Sequence, residues 1–216
     1  MLVVALNITR GANSATTSYK ALDFDRTLRH GVKPSGAPVM IMPSEDVSRL
    51  TDDDTAALIA YLQQLPPVVG RDAVVQLSLP VRLLYGFGFI DDAAARIDHT
   101  LPAPAPVPAD VSVAHGAYLA TACMRCHGAR LSGGKVPGAP AWWPSSANLT
   151  PGKDSAMARY RTAEALMTMF GSARRPDGSV ISKVMPFGSL SLWSETDVRA
   201  LHAYLKTLTP VAAGNR

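Results

Sequence analysis

Cys123-Met124-Arg125-Cys126-His127 is the stretch with the most specific chemistry in this chain. Two thiols three positions apart can each form a thioether to one of the two vinyl groups of a haem. The histidine that follows then lies under the ring, with an imidazole nitrogen for the iron. A C-x-x-C-H run therefore reads as the covalent attachment site of a c-type haem. Two other chemistries use the same residue types. Zinc requires four ligands in tetrahedral geometry, yet both cysteines of the chain are already in the motif. The one later histidine, His202, falls inside a helical pattern. A C-x-x-C thiol redox pair normally sits in βαβ surroundings, and none are evident here.

The elements that must position the motif follow from periodicity and caps. A helix over roughly Ser112 to Ala122 leads into Cys123, and Gly116 within it permits close approach by another helix. Gly133-Gly134, Pro137-Gly138 and Pro140 mark a long loop after His127. A second helix is expected around Ala163 to Phe170. A last one has Ser194 as N-cap, Asp197 three residues on, and Leu201, Tyr204, Leu205 and Leu208 at helical spacing. Pro210 stops it.

The same C-terminal pattern occurs earlier. Met42 through Leu62 aligns without a gap on Met185 through Leu205, at an offset of 143, with nine of 21 pairs identical. Thr51, Asp54, Leu58, Tyr61 and Leu62 repeat the later helix, and Pro66-Pro67 ends it. Upstream the offset is 142, pairing Pro34-Ser35-Gly36 with Pro176-Asp177-Gly178, and then 141, pairing Asn7-Ile8-Thr9 with Asn148-Leu149-Thr150. Repetition on this scale marks a duplicated unit. The expected organisation is a partial domain over 1–70 without its haem-attachment half, a connecting arm and Pro-rich linker over 71–109, and a complete domain over 110–216. Leu101 to Pro108 alternates proline and forms the extended linker; Val74 to His99, which has no counterpart in the second copy, is read as an arm laid over a domain surface. The repeat also leads us to expect Met1 to be an internal start. A second haem motif would then lie roughly 20 codons upstream, with Met42 as its iron ligand.

These residues together resemble the class I cytochrome c family, and among its members the tandem cytochrome subunits of membrane-associated bacterial dehydrogenases. The pattern is His115-Gly116, Tyr118-Leu119, Cys123-x-x-Cys126-His127, Leu131-Ser132-Gly133-Gly134, Asn148-Leu149-Thr150-Pro151, Arg175-Pro176-Asp177-Gly178 and Met185-Pro186-Phe187. The resemblance implies an all-α cytochrome c fold, one complete domain preceded by the C-terminal half of a second copy. It also implies one covalent haem c per chain, with His127 the proximal and Met185 the distal ligand.

Independently of the resemblance, Met185 lies on an irregular loop fixed by Pro186 and can cross to the face opposite His127. Met124 lies between the cysteines, Met167 and Met169 fall on a helical pattern, and Met157 is the next candidate. His/Met ligation raises the potential relative to bis-histidine ligation and leaves no vacancy for substrate, so outer-sphere electron transfer is expected rather than catalysis. The ring nitrogen of His127 that does not face the iron needs an acceptor, for which the Pro137 carbonyl is the expected partner. Trp142, Trp143 and Trp193 are candidates for hydrogen bonds to a haem propionate, with apolar packing the plainer alternative. His115 and His202 are read as helix-surface or interhelix residues.

Residues 110–216 carry 12 Lys and Arg against 6 Asp and Glu, a balance of +6; residues 1–109 carry 9 against 11, a balance of −2. A basic face steers an acidic redox partner, although solvated loop charge would give the same count. The expected partners are a dehydrogenase subunit, a terminal oxidase or another cytochrome; no basic-aromatic stripe points to nucleic acid. Haem attachment of this kind occurs outside the cytoplasm, which places the chain in the periplasm or on the outer face of the bacterial membrane. Met1 to Leu6 is too short for a signal core. Val74 to Ile90 is interrupted by Pro80 and Arg82 and is too short to span a bilayer, so membrane association would come through other parts or subunits. The competing readings are a haem enzyme, peroxidase-like or thiosulfate-oxidising, with an open or labile sixth position, and an apo fragment that never receives haem.

Overall fold

A serine or threonine caps each long helix of the second half of the chain, and each cap stands where the apolar period begins. The computed structural model describes residues 2–216, which divide into two units on either side of Pro106. The first contains β1 (Leu2–Val4), α1 (Ala21–His30), α2 (Ser44–Val47), α3 (Asp52–Gln64), β2 (Val74–Gln76), α4 (Leu79–Gly86) and α5 (Ala93–Arg96). The second contains α6 (Val113–His127), a 3-10 turn (Ala156–Ala158), α7 (Ala163–Ser172), α8 (Phe187–Leu190) and α9 (Glu195–Thr207). The architecture is helix-rich. It departs from the all-α expectation at one place, where β1 and β2 pair antiparallel with Val3 opposite Val75. Runs of valine on both segments favour the extended conformation.

The core of the second unit forms where α6 and α7 pack on α9. Ser112 accepts from the His115 amide, Thr162 from the Ala165 amide, and Ser194 from the Asp197 amide, so each helix has a satisfied N-terminus. Asp197 also accepts from the Ser194 amide, closing a capping box. Ala120 and Ala200 are fully buried. A Cβ at Gly116 would collide with the Ala200 carbonyl, so the bare backbone sets how closely α6 and α9 approach. Leu131, Leu166, Phe170, Val198, Leu201 and Leu205 fill the remaining core. The two histidines are interhelix residues: His115 Nε2 lies 2.8 Å from Asp197 Oδ1, and His202 Nε2 donates to the Tyr160 carbonyl at 2.9 Å.

In the first unit α1, α2 and α3 have the same lengths as α7, α8 and α9 and begin 142, 143 and 143 residues earlier. Gly31 takes the left-handed C-cap of α1 where Ala173 takes that of α7. A hydrogen-bond clip also recurs. Asn7 Oδ1 accepts from the amide and hydroxyl of Thr9, while its Nδ2 donates to the Val68 carbonyl. Asn148, Thr150 and Val211 make the same three bonds.

The surroundings of α3 and α9 differ. Ala57 is exposed and Leu58 and Leu62 half-buried, while their counterparts Ala200, Leu201 and Leu205 are buried, Ala200 against Gly116 of α6. Tyr61 is 64% exposed. The arm packs on its own unit, with α5 against α2 and Ala93–Ala94 against Gly31 at the end of α1. There Arg96 approaches Glu45 at 3.5 Å and the His30 and His99 rings stack.

Candidate functional site

The helix that was expected to stop at Ala122 runs on through His127, so the motif forms its last turn. Residues three and four apart on a helix share a face. Cys123, Cys126 and His127 are therefore held together by the backbone of α6. The chain turns out at Gly128, whose φ of 82° suits glycine. It returns through an antiparallel bridge in which the Gly134 and Ser146 amides and carbonyls exchange 2.9 Å hydrogen bonds. The Ser146 hydroxyl lies 2.6 Å from the Cys126 carbonyl and 3.0 Å from that of Gly134, tying the bridge to the motif.

That bridge decides what His127 meets. The Ala147 carbonyl accepts from His127 Nδ1 at 2.7 Å. The expected partner, the Pro137 carbonyl, is displaced because the bridge pinches residues 135–145 into an outer loop where Pro137 is exposed. A carbonyl can only accept, so the ring carries its proton on Nδ1 and presents the Nε2 lone pair. Burial lowers the His127 pKa, the Ala147 bond opposes that effect and the Arg216 charge adds to it; the balance favours the neutral imidazole that a metal ligand must be.

Burial pushes the Cys123 thiol up to about 11, with Cys126 adding to the shift. A reactive redox thiol requires the opposite displacement. Both cysteines are free thiols. Among the described residues no group of three or more His, Cys, Asp or Glu side chains could hold a metal ion, which leaves the zinc alternative without a ligand set.

Cys123, Met124, Met185 and Trp193 all border the apolar cluster of Leu201 and Phe170. Met185 is half-buried on the loop entering α8, where its carbonyl accepts from the Phe187 amide at 2.8 Å. Met157 is instead buried as part of the core, as is Met169. Trp193 packs edge-on to Phe170, whereas Trp142 lies exposed in the outer loop.

A family model for cytochrome c matches residues 113–209. This segment is a cytochrome c domain. The cytochrome c subunit of the quinone alcohol dehydrogenase of Gluconobacter oxydans (strain 621H) is 26% identical over 98% of this chain and 48% of its own length. The corresponding subunit of Gluconacetobacter polyoxogenes is 29% identical over 97% and 48%. The fructose dehydrogenase cytochrome subunit of Gluconobacter japonicus is 33% identical over 44% of this chain and 20% of its own. The chain thus spans about half the length of the alcohol dehydrogenase subunits it matches.

A cytochrome c domain is an electron-transfer module that carries haem c covalently, and the donor set here fits that group. Two uncrosslinked thiols share one helix face with an imidazole whose Nε2 is free. When bound, haem c supplies a one-electron couple at its iron. The protein's contribution is to fix the imidazole through Ala147 and to provide an apolar wall. Among the described residues no helix is long and apolar enough to cross a membrane. Ser146, Ala147 and Arg216 around the motif were not found from the sequence. Gly133-Gly134 was the one signal nearby, since close approach at the bridge requires small residues there.

Proposed function

We propose that Cys123 and Cys126 form the thioethers to a single haem c, that His127 Nε2 and Met185 Sδ are its axial ligands, and that the chain relays electrons from a dehydrogenase subunit to a respiratory acceptor. The observation that carries this reading is the 2.7 Å bond from His127 Nδ1 to Ala147, which leaves Nε2 as a fixed ligand. Met185 is assigned the other axial position because it borders the same apolar cluster as Cys123 and is held by Pro186 and α8. With both axial positions taken, the site exchanges electrons rather than making bonds.

Residues 1–70 fit the C-terminal half of a second cytochrome c copy. The matched helices and the repeated Asn-Thr-Val clip support this, and Met42, on the loop into α2, occupies the place of Met185. The names of the relatives suggest the donor, the catalytic subunit of a quinone-dependent dehydrogenase; the acceptor in this reading is another cytochrome or a terminal oxidase, at the outer face of the bacterial membrane. A groove of about 440 Å³ bordered by Lys153, Arg161 and Lys206 supports an acidic docking partner. None of its lining residues belongs to the Cys/His cluster.

The test is Met185→Ala in haem-loaded protein. Its loss should abolish the methionine-to-ferric charge-transfer band, lower the potential and admit small ligands. An unchanged spectrum would move the ligand role to another residue, Met157 first.

A further inference from the structure

We propose that Arg216 is a positioning residue for the haem-binding turn: it clamps the loop that holds His127 and brings a guanidinium charge to that turn. The inference rests on His127 being the proximal ligand. From Arg216, Nη2 donates to the Arg125 carbonyl at 3.0 Å, inside the motif itself. Its Nη1 lies 3.2–3.4 Å from the carbonyls of Gly133 and Gly134 and from Ser146 Oγ. One guanidinium therefore spans the last turn of α6 and both sides of the bridge that delivers Ala147. A planar fork with five N–H donors can serve such divergent acceptors, whereas a lysine ammonium cannot reproduce that geometry.

The residues leading to Arg216 are tied to the same loop. The Gly214 amide donates to the Ser132 carbonyl at 3.0 Å, and the buried Ser132 hydroxyl donates to the Asn215 carbonyl at 2.6 Å. Two glycines of the haem loop make room for this segment. A Cβ on Gly128 would press on the Arg216 stem, and one on Gly134 on the Gly214 Cα. The four acceptors of the guanidinium are neutral: three carbonyls and a hydroxyl. With haem bound, a cation on the turn that holds His127 would disfavour the oxidised, more positive state and so raise the potential.

The experiment uses haem-loaded Arg216→Gln and Arg216→Lys, with Lys33→Gln as the control for net charge. In the reduced protein, exchange of the His127 Nδ1 proton and of the Gly133, Gly134 and Ser146 amides should accelerate about tenfold in both Arg216 variants. The potential should fall in Arg216→Gln and be largely retained in Arg216→Lys; Lys33→Gln should change neither. Unaltered exchange in Arg216→Lys would overturn the clamp. An unaltered potential in Arg216→Gln, or an equal fall in Lys33→Gln, would overturn the charge effect. If Arg216→Gln cannot be loaded with haem, the exchange of Arg216→Lys still decides the clamp, and the potential of Arg216→Met, which also lacks the charge, decides the charge effect. Haem content and the Met185→Ala spectrum report separately on the ligand assignment.

Discussion

Gly116→Ala adds one methyl group where α6 crosses α9, and its effect has two parts of opposite sign. Replacing an interior helical glycine by alanine gains about 1 kcal/mol of helix propensity. Against that, the new Cβ meets the Ala200 carbonyl and the Tyr204 Cβ, neither of which can rotate away. Overpacking a close interface costs about 1–3 kcal/mol. The upper end applies, because moving α6 outward also loosens the interface in which Ala120 and Ala200 are fully buried and stretches the His115–Asp197 bond. The expected net loss is about 2 kcal/mol, or roughly 10 °C in the midpoint of a domain this size. Gly171→Ala is the matched control. That glycine is exposed in α7 with open space around its Cα, so the same change should stabilise by about 1 kcal/mol. Thermal unfolding of haem-loaded protein, followed by far-UV circular dichroism, measures both. A neutral or stabilising Gly116→Ala would refute the close-contact argument, since propensity alone would then account for the outcome.

Exchange of the α3 amides should exceed that of α9, because Ala57 and Tyr61 are exposed where their counterparts Ala200 and Tyr204 lie against Gly116 of α6; equal protection by mass spectrometry would contradict this. Ser194→Ala removes the capping hydroxyl of α9 and should cost about 1 kcal/mol in denaturant unfolding. Desolvation tends to raise the Asp197 pKa, but hydrogen bonds from Ser194 and His115 outweigh it and hold the carboxyl below its ordinary 3.8. A lowered folded pKa stabilises above the unfolded value and is lost as pH falls through the folded one. Asp197→Asn should therefore destabilise at neutral pH and flatten the acid limb of the stability profile below about pH 4. An unchanged acid limb would mean that other carboxyls govern it.

Sequence reasoning reached the helices of the second unit because caps, period and Pro210 agree at each end. It placed α6 five residues short, since C-x-x-C-H carries no propensity signal and only tertiary context continues the helix through it. Gly116 was identifiable as a point of close approach, but its contact with Ala200 was not. The motif residues could be named from spacing alone. The acceptor for His127 could not, because it depends on the pairing of Gly134 with Ser146 across a loop whose register no local residue specifies. Arg216 was invisible for a related reason: its acceptors are backbone carbonyls, which have no sequence. The strand pair of the first unit was missed because three-residue valine runs are too short to distinguish from loop.

The Asn148 clip has a mechanical consequence. Its amide grips the Val211 carbonyl beyond the end of α9, and the Val211 amide donates back to the Thr150 hydroxyl at 3.1 Å. A force applied to the chain after α9 meets this staple before it reaches the helix. The helix cannot be peeled turn by turn from its C-terminal end until these bonds rupture. With Asn7, Thr9 and Val68, the stretch following α3 has the same staple. Each unit thus resists unravelling at the point where its last long helix gives way to extended chain.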